Sequence, residues 1–371
     1  MKFSSMAILR ISLSFWLFYR CVAFQSTTPV PKISLSEFQP EAYQDKPLVI
    51  ETGMDVESLC DGLMEHISSK TITLQQKQKQ QTKFYECTVH QAIDPIMLKS
   101  KHGNSFFAFS EGLLDDYEYS KHLTGKELLL NSDDANEVDC WFDYFPPHLQ
   151  PSDCVILAGE GATSTLHRDP FEWTGTSLCL EGTKLWRFLD PKDSVSDIDE
   201  LLKAYRLPST AWNSENNDDI PLSAGWQSDF SLYADRYKFI PSAKSLSNMN
   251  DDQRFDKLDS IAMDWQQLRP NNKDLIQSVC WTVIQKPGDL LLIPAHWWHQ
   301  TYGLEPSLAV ASQRCVSKID AGRVIQHMLS TTGALDTAPD ILIQEDYASY
   351  KEKEKVAQIM NSLFGHLEES L

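Results

Sequence analysis

The 371-residue chain is 42% hydrophobic and 11% aromatic, with ten tryptophans, which supplies a substantial core and excludes disorder over most of its length. That length accommodates one large domain with additions, or two domains. A formal charge of −19 argues against a nucleic-acid binder working through a broad basic face; a basic peptide suits such a surface, and a plain solubility role is the alternative.

Residues 1–23 read as a presequence. Lys2 and Arg10 precede an apolar run, Ile11–Tyr19, and Cys21-Val22-Ala23 puts small residues at a cleavage site. These are the three parts of a signal peptide, and the run is too short for a stable membrane span. An N-terminal helix packed on the domain is the other reading. Phe24 and the following "QSTTPVPK" resemble the bipartite plastid presequences of algae with complex plastids. Residues 24–45 are therefore expected to be a linker or transit segment, with entry into the secretory pathway and an organelle such as a complex plastid as destination.

Next, "KPLVIETG" reads as a short buried strand closed by Gly53, and "DVESLCDGLMEHI" as a helix with Asp55 at its N-cap. The polar stretch "LQQKQKQQTK" is expected to be an exposed loop or a frayed helix end. From Ser105 the texture changes to short aromatic and β-branched runs punctuated by Gly and Pro: "SFFAFS", "CWFDYF", "CVILAGEG", "TSLCLEGTKLWRFLDP", "VCWTVIQKPGDLLLIP" and "PSLAVASQRC". Such runs indicate an antiparallel all-β core of sandwich or barrel type. A polar insert at about 191–277, containing Trp212, Trp226 and Trp265, interrupts it; it is either a functional excursion or a decorative one. In the extension 317–371, Val356, Ile359, Met360, Leu363, Phe364 and Leu367 fall on one helical stripe, for docking on the domain or for a homodimer.

Eight cysteines, one of them in the presequence, are widely spaced without a C-x-x-C pair, so neither a disulfide framework nor a zinc site is expected.

The chemistry concentrates in two places. In "ATSTLHRDPFEW", residues i and i+2 of a strand share a face, so His167 and Asp169 converge while Arg168 points away. In "KPGDLLLIPAHWWHQTYG", Pro287-Gly288 launches a strand over Asp289–Ile293, Pro294 ends it, and the chain re-enters a strand near Trp298–Tyr302. Two histidines there, His296 and His299, are candidates for a third ligand. Two imidazoles and one carboxylate on neighbouring barrel strands hold one face of an octahedral metal and leave positions for a bidentate co-substrate and dioxygen.

The pieces "LHRDPFEWTGTSLCLEGTKLWRF" and "IQKPGDLLLIPAHWWHQTYG" resemble the JmjC branch of the cupin-fold 2-oxoglutarate oxygenases, most closely the small JmjC hydroxylases, over about Lys46–Cys315. The resemblance implies a mainly β fold, a double-stranded β-helix (jelly roll) with flanking helices, occupying 46–316 with the insert included. It implies Fe(II) held by His167, Asp169 and His299, with His296 outside the metal shell. Lys184 matches the lysine that pairs with the distal carboxylate of 2-oxoglutarate, a buried cation suited to a dicarboxylate. Two co-substrate positions depart from the relatives: an asparagine falls at Ser177 and a threonine at Ser312. The implied reaction couples decarboxylation of 2-oxoglutarate to oxidation of a substrate C–H by dioxygen. Hydroxylation of a protein side chain is the first expectation, with a protein or peptide partner and no nucleic acid. The alternatives are histone or protein N-methyl demethylation, hydroxylation of a small molecule or RNA, a non-catalytic metal-binding cupin acting as an interaction module, and a zinc or manganese isomerase-type cupin with no use for Lys184. Trp297 and Trp298 are read as core or as the apolar wall of the site.

Overall fold

A computed structural model of the chain describes residues 28–39, 46–78, 81–97, 105–125, 140, 142, 150–169, 174–190, 205–206, 226–228, 232, 253 and 280–314. The presequence, the C-terminal stripe, Cys315 and most of the insert lie outside these residues. So does "CWFDYF" apart from Cys140 and Phe142, both buried.

In chain order the strands are β1 (Thr28–Pro29), β2 (Lys32–Ser34), β3 (Leu48–Glu51), β4 (Thr71–Gln78), β5 (Gln81–Thr88), β6 (Ser105–Glu111), β7 (Cys154–Ala158), β8 (Leu166–Arg168), β9 (Thr174–Glu181) and β10 (Lys184–Leu189). They continue as β11 (Tyr205–Arg206), β12 (Trp226–Ser228), β13 (Cys280–Gln285), β14 (Asp289–Ile293), β15 (Trp298–Gly303) and β16 (Ser307–Arg314). Among the described residues three α-helices accompany them, α1 (Val56–Ile67), α2 (Val89–Met97) and the single turn α3 (Ser120–Leu123), besides a 3-10 turn at Leu35–Glu37. Among the described residues one sheet has the order β1-β13-β10-β15-β8-β12-β11 and the other β2-β3-β14-β9-β16-β7-β6-β4-β5. The core is a double-stranded β-helix of these two sheets.

Alternation along the strands gives the larger sheet two buried faces. One face packs against the helices: Ile72, Leu74, Ala108, Leu157, Leu178, Leu290 and Leu292 meet Leu63 and Ile67 of α1 and Val89, Ala92 and Ile96 of α2. The other faces the smaller sheet, where Val49, Leu291 and Ile293 join Trp186, Phe188, Val283 and Trp297. Asp55 caps α1, accepting from the Ser58 backbone N–H at 3.2 Å. A reciprocal capping box starts α2: the Thr88 N–H donates to Gln91 Oε1 at 2.9 Å and the Gln91 N–H to Thr88 Oγ1 at 3.3 Å.

The "LQQKQKQQTK" stretch corrects the expectation of a loop or helix end. It supplies most of β4 and the start of β5, an antiparallel hairpin in register from Thr71↔Thr88 to Gln78↔Gln81. Ile72 and Leu74 set its face on the helix core, and β6 pairs its other side, which outweighs the low strand preference of Gln and Lys. The runs from Ser105 onward pair antiparallel as expected, whereas within the stretch expected to be a linker β1 pairs parallel to β13 and β2 parallel to β3. Lys32 fastens β2 there, bonding Asp289 and Glu51 at 3.0 Å each.

The turns follow from local chemistry. In "KPGD" the Asp289 N–H returns to the Lys286 carbonyl at 3.0 Å, with Pro287 second and Gly288, at φ 84°, third. That is a type II turn, which needs a residue tolerant of positive φ at its third position.

Candidate metal centre

The metal-ligand candidates sit at the junction of two paired strands of the smaller sheet. His167 lies on β8, His299 directly opposite it on β15, and Asp169 one residue past the end of β8. His167 Nε2 is 3.6 Å and His299 Nε2 3.8 Å from the same oxygen, Asp169 Oδ1. The ligand atoms of the three residues all lie within 4.8 Å of one another. Arg168 points away, as alternation requires, with its guanidinium 5.8 Å from the Trp298 ring centroid.

The donor set fits a metal ion in its hydrogen bonding as well as its spacing. His167 Nδ1 is 2.8 Å from the Thr165 carbonyl and His299 Nδ1 is 3.1 Å from the Trp297 carbonyl. A carbonyl only accepts, so each Nδ1 carries the proton and each Nε2 is left with its lone pair toward the centre. Burial pushes the His299 imidazole down to about 4, with the neighbouring His167 adding to the effect and Asp169 opposing it. Neutral imidazole is the form a metal binds. Gly175 gives the carboxylate room, since a Cβ there would stand 3.3 Å from both Asp169 Oδ2 and Ile293 Cβ.

His296 stays outside the cluster. It occupies the third position of a turn closed by the Trp297 N–H on the Pro294 carbonyl, with φ 67°. The tight reversal seats Trp297 and Trp298 in the interior, 2% and 1% exposed, and delivers His299 to the site. Both tryptophans are core, and neither lines the cavity.

That cavity, about 270 Å³, opens between the sheets beside the three ligands and is also lined by Lys184, Ser177 and Ser312. Lys184 leads β10 and is 4% exposed. It faces inward two alternating positions from Phe188, the residue paired with His299. Burial lowers its pKa, the nearby Cys179 thiol opposing, and among the described residues no carboxylate pairs with it. The Ser177 hydroxyl is buried without a hydrogen-bond partner. Ser312 is different: its hydroxyl donates to Asp153 Oδ1 at 2.5 Å, so its one proton is committed within the wall.

Several wall residues carry no role in the sequence reading: Ser164, Thr301, Trp186, Phe107 and Phe109. Thr301 was within reach, standing two residues beyond His299 on the same strand face. Ser164 lies far off in sequence and meets Thr301 only across the fold, its hydroxyl accepting from the Thr301 N–H at 2.9 Å. Trp186 is held by Gln285, whose Oε1 accepts the indole N–H at 2.8 Å while its Nε2 donates to the Ser177 and Asp289 carbonyls at 2.6 and 3.0 Å.

The insert contributes structure here. Its strand β12 pairs with β8, Gln227 opposite His167, and so covers the edge of the ligand strand. Leu232 is then held at both backbone groups, its N–H by Gln300 Oε1 at 2.7 Å and its carbonyl by Arg187 Nη1.

The six described cysteines, Cys60, Cys87, Cys140, Cys154, Cys179 and Cys280, are free thiols, and none joins the cluster. No helix among the described residues is long and apolar enough to cross a membrane. No curated protein matches the chain. The family model for the cupin-like domain matches residues 41–312, close to the span expected from the two motif-bearing pieces. With a double-stranded β-helix, a His-Asp-His cluster inside it and a family match over most of its length, this chain belongs to the cupin-like domain family of the JmjC-related cupins.

Proposed function

We propose that the protein is an Fe(II)- and 2-oxoglutarate-dependent oxygenase that hydroxylates a protein side chain. One observation carries the reading: the cavity that holds the His167–Asp169–His299 cluster also encloses Lys184, a buried cation with no carboxylate partner among the described residues. An unpaired ammonium is costly to bury, and an anionic ligand in the same cavity relieves that cost. A zinc or manganese isomerase-type cupin would have no use for it.

Iron at the cluster, chelating a 2-oxo acid, would supply the activation of dioxygen that inserts oxygen into a C–H bond as 2-oxoglutarate is converted to succinate and CO2. The chain's own residues do the rest. His167 and His299 offer Nε2 because their Nδ1 protons are tied to backbone carbonyls. Lys184 binds and orients the far carboxylate, and the Ser177 hydroxyl, lacking a partner, is free to donate to the same ligand. Ser312 helps shape the wall, its proton given to Asp153 and not to the ligand. Phe188, Trp186 and Ile293 pack around the site and exclude water.

The test uses anaerobic protein with Fe(II), titrated with 2-oxoglutarate and followed by the visible charge-transfer band of a chelated 2-oxo acid. A saturable band is expected, absent in His167→Ala and with affinity weakened about tenfold or more in Lys184→Ala, the scale of a lost charge-assisted hydrogen bond. Iron binding without a band would overturn the oxygenase reading and favour a cupin binding module. The acidic chain, the presequence reading and the absence of a basic tract in the sequence support a peptide partner away from chromatin.

A further inference from the structure

Side chains of β6 alternate between the two faces of the larger sheet. Phe106 and Ala108 pack with the helix-side core, whereas Phe107 and Phe109 line the metal cavity. Register carries that inner face outward: Phe107 stands opposite Gln75 of β4, and Gln75 opposite Phe84 of β5. Directly paired residues share a face. Leu74 and Ile72, one residue out of step with Gln75 or Thr73, lie on the helix side. With strands about 4.8 Å apart, Phe84 stands roughly 10 Å beyond Phe107 on the cavity side of the sheet. Phe109 is 43% and Phe84 64% exposed, so two aromatic rings face solvent where the cavity wall runs out onto the hairpin.

The charge inside the cavity is equally one-sided. Among the described residues lining it, Lys184 and Asp169 are the only lysine, arginine or acid. If the oxygenase reading holds, the first is matched by the co-substrate and the second by the metal. The β6–β7 side is hydrocarbon: Phe107, Phe109, Ile156 and Ala158. A lysine or methyl-lysine side chain entering there would give up its hydration and find no free carboxylate among the described lining residues in return. An aliphatic or aromatic side chain would lose only unfavourable contact with water.

We propose that the oxidised group is an uncharged, apolar side chain that enters against Phe107, Phe109, Ile156 and Ala158, its peptide lying over the exposed rings of Phe109 and Phe84. This rests on the oxygenase reading and narrows it to a substrate class. The acidic chain favours basic flanking residues, but the side chain brought to the metal is neutral, which sets apolar side chains ahead of methylated lysine as substrates.

The full chain is loaded with Mn(II) and 2-oxoglutarate, and paramagnetic broadening is followed on the side-chain protons of the N-acetyl amides of leucine, phenylalanine, lysine and dimethyl-lysine. Broadening of the leucine and phenylalanine probes is expected, weakened about tenfold or more in Phe109→Asp and restored in Phe109→Leu. Unchanged Mn(II) affinity in both variants reports an intact fold. Equal or stronger broadening of the basic probes, silence of the apolar ones, or indifference to Phe109→Asp would each overturn the proposal. The methylene protons of 2-oxoglutarate are read in the same samples. Their failure to broaden sinks the oxygenase reading itself, whereas broadened 2-oxoglutarate with silent apolar probes sinks the substrate class alone.

Discussion

His299 is buried at the cavity wall, flanked by Phe188 and Trp186 ring-to-ring at 6.1 and 6.0 Å and by His167 at 4.2 Å. That enclosure keeps the imidazole neutral down to about pH 4. In the unfolded chain the same histidine takes up a proton near pH 6.5. Above that value its contribution to stability does not change with pH. As pH falls from about 6.5 toward 4 the unfolded state binds a proton that the folded state does not, and stability falls by about 1.4 kcal/mol per pH unit. Below about 4 both states are protonated and the slope from this group ends. Urea unfolding of metal-free protein at pH 7, 6 and 5, compared with His299→Gln, isolates the effect; parallel pH profiles for the two proteins would show that His299 is not its source.

At the scale of elements, the ligand strand β8 has only three residues and depends on its neighbours. On one side β15 pairs with it at the two histidines, and on the other β12 pairs along its whole length. Gln300 links these supports, accepting from the Leu232 N–H and donating from Nε2 to the Ser164 carbonyl at 2.9 Å. Gln300→Leu would strand a buried donor and a buried acceptor, a loss of about 2 kcal/mol or more. Because the freed segment abuts β8, metal affinity is expected to fall as well, by about tenfold, the usual scale for losing a support of a ligating residue. Thermal unfolding and Mn(II) titration measure the two effects. Wild-type metal affinity in a destabilised variant would confine the insert to a structural role.

For the whole molecule, the link that matters most is Gly182-Thr183, which passes the chain from the larger sheet to the smaller and sets Lys184 at the cavity's end. Gly182 has φ 75°, and a Cβ on it would overlap the Pro306 carbonyl oxygen. Gly182→Ala therefore combines a left-handed backbone cost of about 1–2 kcal/mol with a clash against backbone that has little freedom to retreat. A loss of more than about 2 kcal/mol is expected in equilibrium unfolding, and under the proposed oxygenase function 2-oxoglutarate binding weakens with it as Lys184 shifts. An alanine variant of near wild-type stability would mean that the β15–β16 loop yields easily.

Much of the frame was legible because its signals are local. Short aromatic and β-branched runs punctuated by Gly and Pro mark β6, β7, β9, β10 and β13 to β16, and Asp55 announces α1. His167, Asp169 and His299 were identifiable because strand alternation and the family's motif order specify the same three residues. The α2 capping box in "TVHQ" is equally local. Other features have no local signature. The Gln- and Lys-rich hairpin is a strand pair because β6 and the helix core offer it a partner and a surface. The Ser312 hydroxyl is taken up by Asp153, a residue far away in sequence, and the insert braces β8 through β12 while Gln300 and Arg187 hold Leu232. Phe84 joins the cavity face only through the register of three strands. Alternation and turn chemistry act over a few residues, so the sequence by itself determined strands, turns and the ligand triad. Which polar groups meet across the barrel, and which apolar rings are left facing solvent, depends on pairings between distant segments, and only the tertiary structure decided them.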